Sequence, residues 1–418
     1  MAESIGRRAV LGSAAAGGLA VAVGAPAVAA SDTTIRIGIL TDLNGPNANG
    51  TGEGSVNATK MAAEDFMRAH PGWTVEVMAA DYQSKADIAQ GIAREWFDQR
   101  GVDVITNVNN SAAALAIAGL VREKDKAAVF TAPASSDLTG KACSPNHVQW
   151  TYDTWSLGNC TGTALVAEGG TTWYFIAADY TFGKLLASDT TRAVVAAGGK
   201  VIGTVLHPFP ETTDFSTFLL QAKASGAQVI GLANSGDNTV NCVKQAAEFG
   251  IGRSGTRLAA LLLTIPDVHG LGLATAQGLL LTEAWYWDMN DGTRAFARRY
   301  APLTGGKMPN MIQAGDYSAV THYLKAVADL GADLGADKAK ASGRAVITRM
   351  KAMPVEDSVY GKGSIRADGR KLNPMHLFQV KAPGESRYPW DYYKLIHTIP
   401  ADQAFRPMSE GHCPLVHT

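Results

Sequence analysis

Amides, hydroxyls and carboxylates stand in this sequence just after β-branched runs, where strands would end and loops begin. Asn44 follows residues 35–39; Asn109, Asn110 and Ser111 follow 102–106; Ser135 and Ser136 follow 127–131. Tyr180, then Asn234, Ser235 and Asp237, then Asp267 stand in the same relation to later runs. Such side chains on loops at helix N-termini can hold a carboxylate or another small polar group. Each one alone is also ordinary turn or N-cap chemistry, and Ser135-Ser136-Asp137 before Leu138 is a capping sequence in any case. The binding reading rests on the set, because so many strand-end loops converge on one crevice. Tyr180, Trp285, Tyr286 and Trp287 are the aromatic candidates. At a cleft they would form a flat apolar wall; at strand ends aromatics more often serve core or hinge packing, and Tyr180 is the better ligand candidate.

Motifs for catalysis are nearly missing. The chain has no Gly-x-Ser-x-Gly, no P-loop and no His-Glu-x-x-His. Gly158-Asn159-Cys160-Thr161-Gly162 has the outline of a nucleophile elbow with cysteine for serine, but residues 153–158 read as a capped helix start rather than the strand an elbow needs. Gly50-x-Gly52-x-Gly54 is not the dinucleotide fingerprint, and no cofactor is expected. The four cysteines, Cys143, Cys160, Cys242 and Cys413, allow three disulfide pairings. Cys143-x-x-x-His147 and His412-Cys413 offer soft ligands without the spacing of a structural zinc site, so no metal is expected either.

The elements that would position these groups follow from periodicity. Ile35, Ile37 and Ile39 alternate up to Asp42, Gly45-Pro46 and Gly50, Gly52 and Gly54 turn the chain, and Ala58, Met61, Ala62 and Phe66 recur at helical spacing. Ligands of open α/β sheets bind beyond the carboxyl ends of strands, which makes 42–55 a candidate binding loop. Strands are predicted at 74–79, 102–106 and 127–131, with helices between them. Residues 143–153 fit neither period. A second set follows, with strands at 171–177, 200–206, 228–232, 257–263 and 278–283 and helices at 183–197, 215–224 and 240–249. Helices then return at 293–300, 316–330 and 342–353, and two short strands at 360–366 and 375–381 meet across Ala367-Asp368-Gly369. This alternation predicts an α/β fold of two doubly wound parallel-sheet, Rossmann-like lobes. The pause, restart and return predict a multi-strand hinge, with 31–150 plus 288–360 in the first lobe and 151–287 plus 361–400 in the second.

Residues 1–30 read as an export signal: Arg7-Arg8, an apolar run over 9–25 and Ala27-Val28-Ala29. Ala9-Val10 departs from the strict twin-arginine pattern, which leaves the Sec route open, and the mature chain starts near Ala30 or Ser31. The whole sequence holds 37 Lys and Arg against 38 Asp and Glu, so charge gives no case for nucleic-acid binding. About 390 mature residues exceed one core and call for two domains. Beyond the leader no run of about 20 apolar residues suggests a membrane span.

The chain resembles the solute-binding proteins of branched-chain and hydrophobic amino acid ABC transporters, of the type I periplasmic binding fold. The carriers are IRIGILTDLNGP with the glycine loop and helix after it, NVNNSAAA over 107–114, and APASSDLTG over 132–140. ADYTFG over 178–183, KQAAEFG over 244–250 and the hairpin over 361–368 complete them. In order and spacing they cover nearly the whole mature chain. The resemblance implies a periplasmic protein, a monomer by default, that captures a small organic solute between its lobes and hands it to membrane permease subunits. It assigns the solute's carboxylate to loops matching 109–111 and Ala134 to Ser136, a closing aromatic to Tyr180 and an ammonium partner to Asp267. Thr264-Ile265-Pro266-Asp267 departs from the usual sequence there; with Asp267 outside the cleft, a plain carboxylate, an amide or an aromatic acid would be the solute. The resemblance also implies a Cys143–Cys413 disulfide pinning the tail, 401–418, to the first lobe. The alternatives are a periplasmic ligand sensor of the same fold and an exported hydrolase using Cys160.

Overall fold

β1 (Thr34–Thr41) is buried along nearly its whole length, and the first sheet grows outward from it. The computed structural model describes residues 32–252 and 255–416 of the 418-residue chain; the leader read at 1–30 lies outside the described residues. β2 (Thr74–Asp81), β3 (Val104–Asn107), β4 (Ala127–Phe130) and β5 (His147–Gln149) join β1 in the order β2-β1-β3-β4-β5, all parallel. A parallel sheet must be covered on both faces. α1 (Gly52–Ala69) covers one face with Ala58, Met61, Ala62 and Phe66. α2 (Ala86–Gln99) and α3 (Ser111–Glu123) cover the other with Trp96, Phe97, Ile117 and Leu120.

After α4 (Thr154–Ala167) the pattern repeats. β6 (Thr172–Ala178), α5 (Thr181–Ala196), β7 (Lys200–His207), α6 (Ser216–Ala224), β8 (Val229–Ala233), α7 (Gly236–Glu248) and β9 (Arg257–Ala260) follow in turn. α8 (Ile265–Leu271) and α9 (Leu273–Ala276) lead to β10 (Leu280–Glu283). The chain then returns to the first lobe through α10 (Asp291–Tyr300), α11 (Met311–Leu334), α12 (Ala336–Ala339) and α13 (Gly343–Ala352). α11 lies beside α1 and against β3 and β4. Asn310 caps it by accepting from the N–H groups of Ile312 and Gln313 at 2.9 and 3.1 Å, worth about 1 kcal/mol. Its inner stripe of Val320, Tyr323, Leu324 and Val327 is fully buried, at about 1.5–3 kcal/mol for each aliphatic side chain.

β11 (Val355–Asp357), β12 (Gly361–Ile365) and β13 (Lys371–Leu372) make a small antiparallel sheet. β14 (Met375–Val380) and β15 (Tyr393–Ile399) then complete the second sheet in the order β15-β14-β10-β9-β8-β6-β7, with β14 antiparallel to both its neighbours. The turn at Ala367-Asp368-Gly369 therefore joins β12 to the two residues of β13. β14 pairs instead with β10, because its buried Met375, Leu377 and Phe378 belong to the second core. Four strands escaped the periodicity: β5, β11 and β13, none longer than three residues, and β15, whose residues 394–398 are all exposed.

The lobes are joined at 150–153, 284–290 and 373–374. Arg370, fully buried, donates through Nη1 to the Tyr152 carbonyl at 2.9 Å, and Asn373 Nδ2 to the Thr151 carbonyl at 3.3 Å. Trp285 Nε1 donates to the Val359 carbonyl at 2.9 Å and its ring meets Phe296 edge to face. Cys143 and Cys413 are disulfide-bonded, with Cα atoms 5.6 Å apart, and Arg406 donates to the Ser136 carbonyl at 2.8 Å. The tail is thus tied to the end of the first sheet. Cys160 and Cys242 are free and buried.

The bridge closes a segment of 270 residues, for which the chain-entropy account puts the stabilisation at roughly 2–5 kcal/mol. Replacing both Cys143 and Cys413 with Ser should lower the melting temperature by at least a few degrees. Thiol titration of the native protein should find no reactive group, two after denaturation and four after reduction. A third thiol appearing without reductant would refute the pairing.

Candidate binding cleft

In both sheets the strand order reverses beside the first strand of the set, β1 in the sheet β2-β1-β3 and β6 in the sheet β7-β6-β8. Helices leave such a strand pair on opposite faces, and a crevice opens at the carboxyl ends. The two crevices face each other around a cavity. From the first lobe come Thr51 after β1, Asn109 after β3 and Ala134 after β4; from the second come Tyr180 after β6, Ser235 after β8 and Asp267 after β9. Tyr152, Phe182, Leu262 and Ile312 close it with apolar surface. The cavity volume is about 460 Å³ including the open mouth, a size that suits one small molecule and not an oligomer.

The loop after β1 is built by Asp42. Its carboxylate, buried, accepts from the N–H groups of Gly45 at 2.7 Å and Asn47 at 3.0 Å. Burial raises its pKa, and the two N–H groups oppose the rise. A Cβ on Gly45 would stand 2.3 Å from Asp42 Oδ1, so only glycine fits. Across the cleft Ser235 Oγ donates to Asn47 Oδ1 at 3.0 Å, and the Asp237 N–H to the Pro46 carbonyl at 2.9 Å. The two lobes touch at this rim.

Three helices point their N-termini at the cavity. The N-cap residues of α1, α5 and α7 are Thr51, Tyr180 and Ser235, all three in its wall, and none uses its side chain to cap its helix. The Gly52 N–H donates to the Thr41 hydroxyl at 3.1 Å and the Asp237 N–H to the Pro46 carbonyl. The remaining first-turn N–H groups, with the positive ends of three helix dipoles, make a setting suited to an anion. Among the described residues no Lys or Arg lines the cavity. Asn109 adds a donor: its Oδ1 accepts from the Tyr82 hydroxyl at 2.6 Å, while its Nδ2 is buried and unpartnered. Tyr180 stacks on Phe209, ring centres 4.2 Å apart.

Asp267 is buried, and its Oδ2 accepts from the Thr264 N–H at 2.9 Å and the Thr264 hydroxyl at 2.7 Å, a capping box at the start of α8. Burial raises its pKa and the Thr264 bonds lower it. Behind the cleft, at the end of β10, Glu283 accepts from the Tyr393 hydroxyl at 3.0 Å. Burial pushes its carboxyl up to about 8, against the hydrogen bonds from Tyr393 and the Met311 N–H.

Of the residues singled out from sequence, Asn109, Ala134, Tyr180, Ser235 and Asp267 meet in this cavity. The others lie beside it. Asn44, exposed, donates to Asp81 at 3.1 Å. Asn110 caps α3 by accepting from the Ala113 N–H at 3.1 Å, and Ser111 is buried in that helix's first turn. Ser135 accepts from the Asp137 N–H, and Ser136 donates to Asp189 at 3.0 Å. Asn234 accepts from Thr239 at 2.7 Å, and Trp285 packs at the hinge. Asn47 and Thr51 fell inside the candidate loop 42–55 without being named. Tyr152 lay in the stretch without period, and Ile312 on a helix that returns from a distant part of the chain. Cys160 sits in the middle of α4, and burial pushes its thiol up to about 12, where it is no nucleophile.

Residues 34–385 match the family described as periplasmic binding protein. The chain belongs to that family. A periplasmic binding protein from Burkholderia mallei is 46% identical, over 92% of this chain and 99% of its own, with a TM-score of 0.86. A branched-chain amino acid ABC transporter periplasmic ligand-binding protein from Burkholderia xenovorans is 39% identical, over 91% and 99%, with a TM-score of 0.79. A solute-binding protein of an ABC transporter from R. palustris, in complex with 4-hydroxybenzoate, shares the fold at 21% identity, over 88% and 97%, with a TM-score of 0.76. No curated protein matches. Family membership places this binding protein outside the cytoplasm and makes small-molecule capture its class of activity.

Glu283 offers a check on the buried charge of this binding protein. Its folded pKa, about 8, lies above its ordinary value of 4.5. Its contribution is therefore fully present below pH 4.5 and is lost as pH rises through 8. In urea unfolding, Glu283→Gln should gain on the wild type steadily between pH 5 and pH 9. A difference that does not change with pH would show that Glu283 ionises freely in the fold.

Proposed function

We propose that this chain is the extracytoplasmic solute-binding subunit of an ABC importer and that it carries a small apolar solute bearing a carboxylate, foremost a branched-chain or aromatic amino acid. The observation that carries the reading is the convergence of three uncapped helix N-termini on a cavity too small for an oligomer. An anion is satisfied there by backbone donors; Leu262, Ile312 and Phe182 take an apolar side chain, and Asp267 takes an ammonium. The Burkholderia xenovorans relative, named for branched-chain amino acid transport, supports the same class.

In this proposal residues 31–150 plus 288–360 form the first lobe, 151–287 plus 361–400 the second, and 401–418 a tail held to the first. The solute binds the first lobe, the second closes through the three-segment hinge, and the closed monomer docks on the permease in the periplasm after export by the twin-arginine or Sec route. Closure follows from the solute's higher affinity for the closed form. The protein acts by binding, with no covalent step.

A thermal-shift panel on residues 31–418 tests this, with amino acids, aromatic acids and amides as probes after unfolding and refolding. A tight solute at many times its Kd should add a few kcal/mol, a shift of several degrees. Against an amino acid hit, Asp267→Asn should weaken binding about 10- to 100-fold, the range for a charged hydrogen bond. A hit confined to plain carboxylates, insensitive to Asp267→Asn, would leave Asp267 as the cap of α8 alone. Silence across the panel would sink the amino acid and aromatic acid classes together.

A further inference from the structure

The geometry points to Asp316 as the positioning residue of this cleft: a buried carboxylate on α11 that ties together three cavity loops without lining the cavity itself. The inference rests on the cleft assigned above. Asp316 is fully buried. Asn107 Nδ2 donates to its two oxygens at 3.2 and 3.1 Å, and the Thr131 hydroxyl donates to Oδ1. Ser55 Oγ accepts from the same Asn107 Nδ2 at 3.0 Å, which brings the first turn of α1 into the cluster. Ser55 lies in the first turn of α1, after Thr51. Asn107 ends β3, two residues before Asn109. Thr131 follows β4 and precedes Ala132 and Ala134. Thr51, Asn109, Ala132 and Ala134 all form cavity wall.

The backbone between Asn107 and Asn109 needs such a tie. Asn107 has φ +69° and Val108 φ +60°. Asparagine tolerates the left-handed region, but a β-branched residue there is a genuine outlier and persists only where its surroundings over-determine it. Three contacts do so. The Asn107 side chain is held by Asp316 and Ser55, the Val108 N–H donates to the Leu40 carbonyl at 2.8 Å, and the Tyr82 hydroxyl donates to Asn109 Oδ1 while accepting the Asn110 N–H at 2.7 Å. The left-handed pair turns the chain so that Asn109 meets the cavity with Nδ2 free. Asp316, 209 positions beyond Asn107, is the only one of these anchors supplied by the returning segment. It therefore couples the cleft floor to α11, which packs beside α1.

The test exploits the direction of the Asn107–Asp316 bonds. Asp316→Asn sets an amide nitrogen against the Asn107 amide; adding Asn107→Asp restores donor against acceptor with the roles exchanged. Hydrogen–deuterium exchange over 107–111 is read in the solute-free protein, and calorimetry is run with L-leucine and with benzoate. Asp316→Asn should speed exchange at 107–111 at least tenfold and weaken whichever probe the wild type binds at least tenfold. The double exchange should bring both within threefold of wild type. Wild-type exchange at 107–111 in Asp316→Asn, or a uniform rise across the chain with unchanged Kd, would overturn the assignment. If the wild type binds neither probe, the solute class is at fault and the exchange data alone decide on Asp316. If Asp316→Asn does not fold, a folded double variant with wild-type exchange supports the tie, and one that also fails to fold refutes it.

Discussion

Reversal of strand order beside β1 and again beside β6 is the constraint on which this molecule depends. A strand flanked on both sides sends its helix to one face, and its neighbour sends the next helix to the other. α1 therefore covers the face opposite α3, and α5 the face opposite α7, so each sheet leaves a gap at its carboxyl edge flanked by helix N-termini. Facing one gap with the other produces a site whose donors belong to the backbone. Side chains at Thr51, Tyr180 and Ser235 do not cap their helices, whereas those of Asn110, Asp153 and Asn310 do cap theirs.

The electrostatics follow from the same arrangement. Asp42, Asp267, Glu283 and Asp316 all stand in or just behind the cleft, and burial raises the pKa of each. An anion in such surroundings would be repelled if these groups were ionised and unpartnered. Each carboxylate instead accepts local hydrogen bonds: Asp42 from Gly45 and Asn47, Asp267 from Thr264, Asp316 from Asn107 and Thr131. A helix N-terminus supplies about 0.3–1 kcal/mol in an exposed setting and up to ~2 when partly buried. Hydrogen bonds to a charged group add about 1.5–3 kcal/mol each. Three N-termini and Asn109 are enough to hold a carboxylate with no cationic side chain in the wall.

Legibility in the sequence tracked the length over which a pattern persists. The buried alternation of β1, the helical stripe of α1 and the repeated strand-helix order displayed the parallel lobes, because such elements bury regular faces. β5 is too short for a period, and β15 too exposed for burial to pattern it. The site was legible as a set of loops but not residue by residue. Polar residues after strands serve equally as caps, and Asn110, Ser135 and Asn234 turned out to bond within their own loops. Which of two adjacent residues faces the cavity depends on local φ, as the left-handed turn at Asn107 and Val108 shows, and spacing carries no signal for that. Ile312 and Asp316 come from a distant helix, Asp316 lying 185 positions from Thr131 and 209 from Asn107, a proximity only the folded topology creates.

Weighing the contacts between the lobes shows what drives closure. The rim carries Ser235 to Asn47, Asp237 to Pro46 and Ser136 to Asp189, each a hydrogen bond with a net value of about 1 kcal/mol. Arg192 and Glu410 pair at 3.7 Å with both side chains about half exposed, and such a pair contributes about 0–1 kcal/mol. Against these stands the cost of ordering both rims, on the order of 0.5–1.5 kcal/mol for each immobilised side chain. The contacts and the cost are of the same order. A solute that engages N-termini from both lobes tips that balance, since only the closed form offers it α1 together with α5 and α7. The disulfide lies outside this balance: it joins Cys413 to Cys143 at the end of the first sheet, and so restrains the tail without holding the cleft shut.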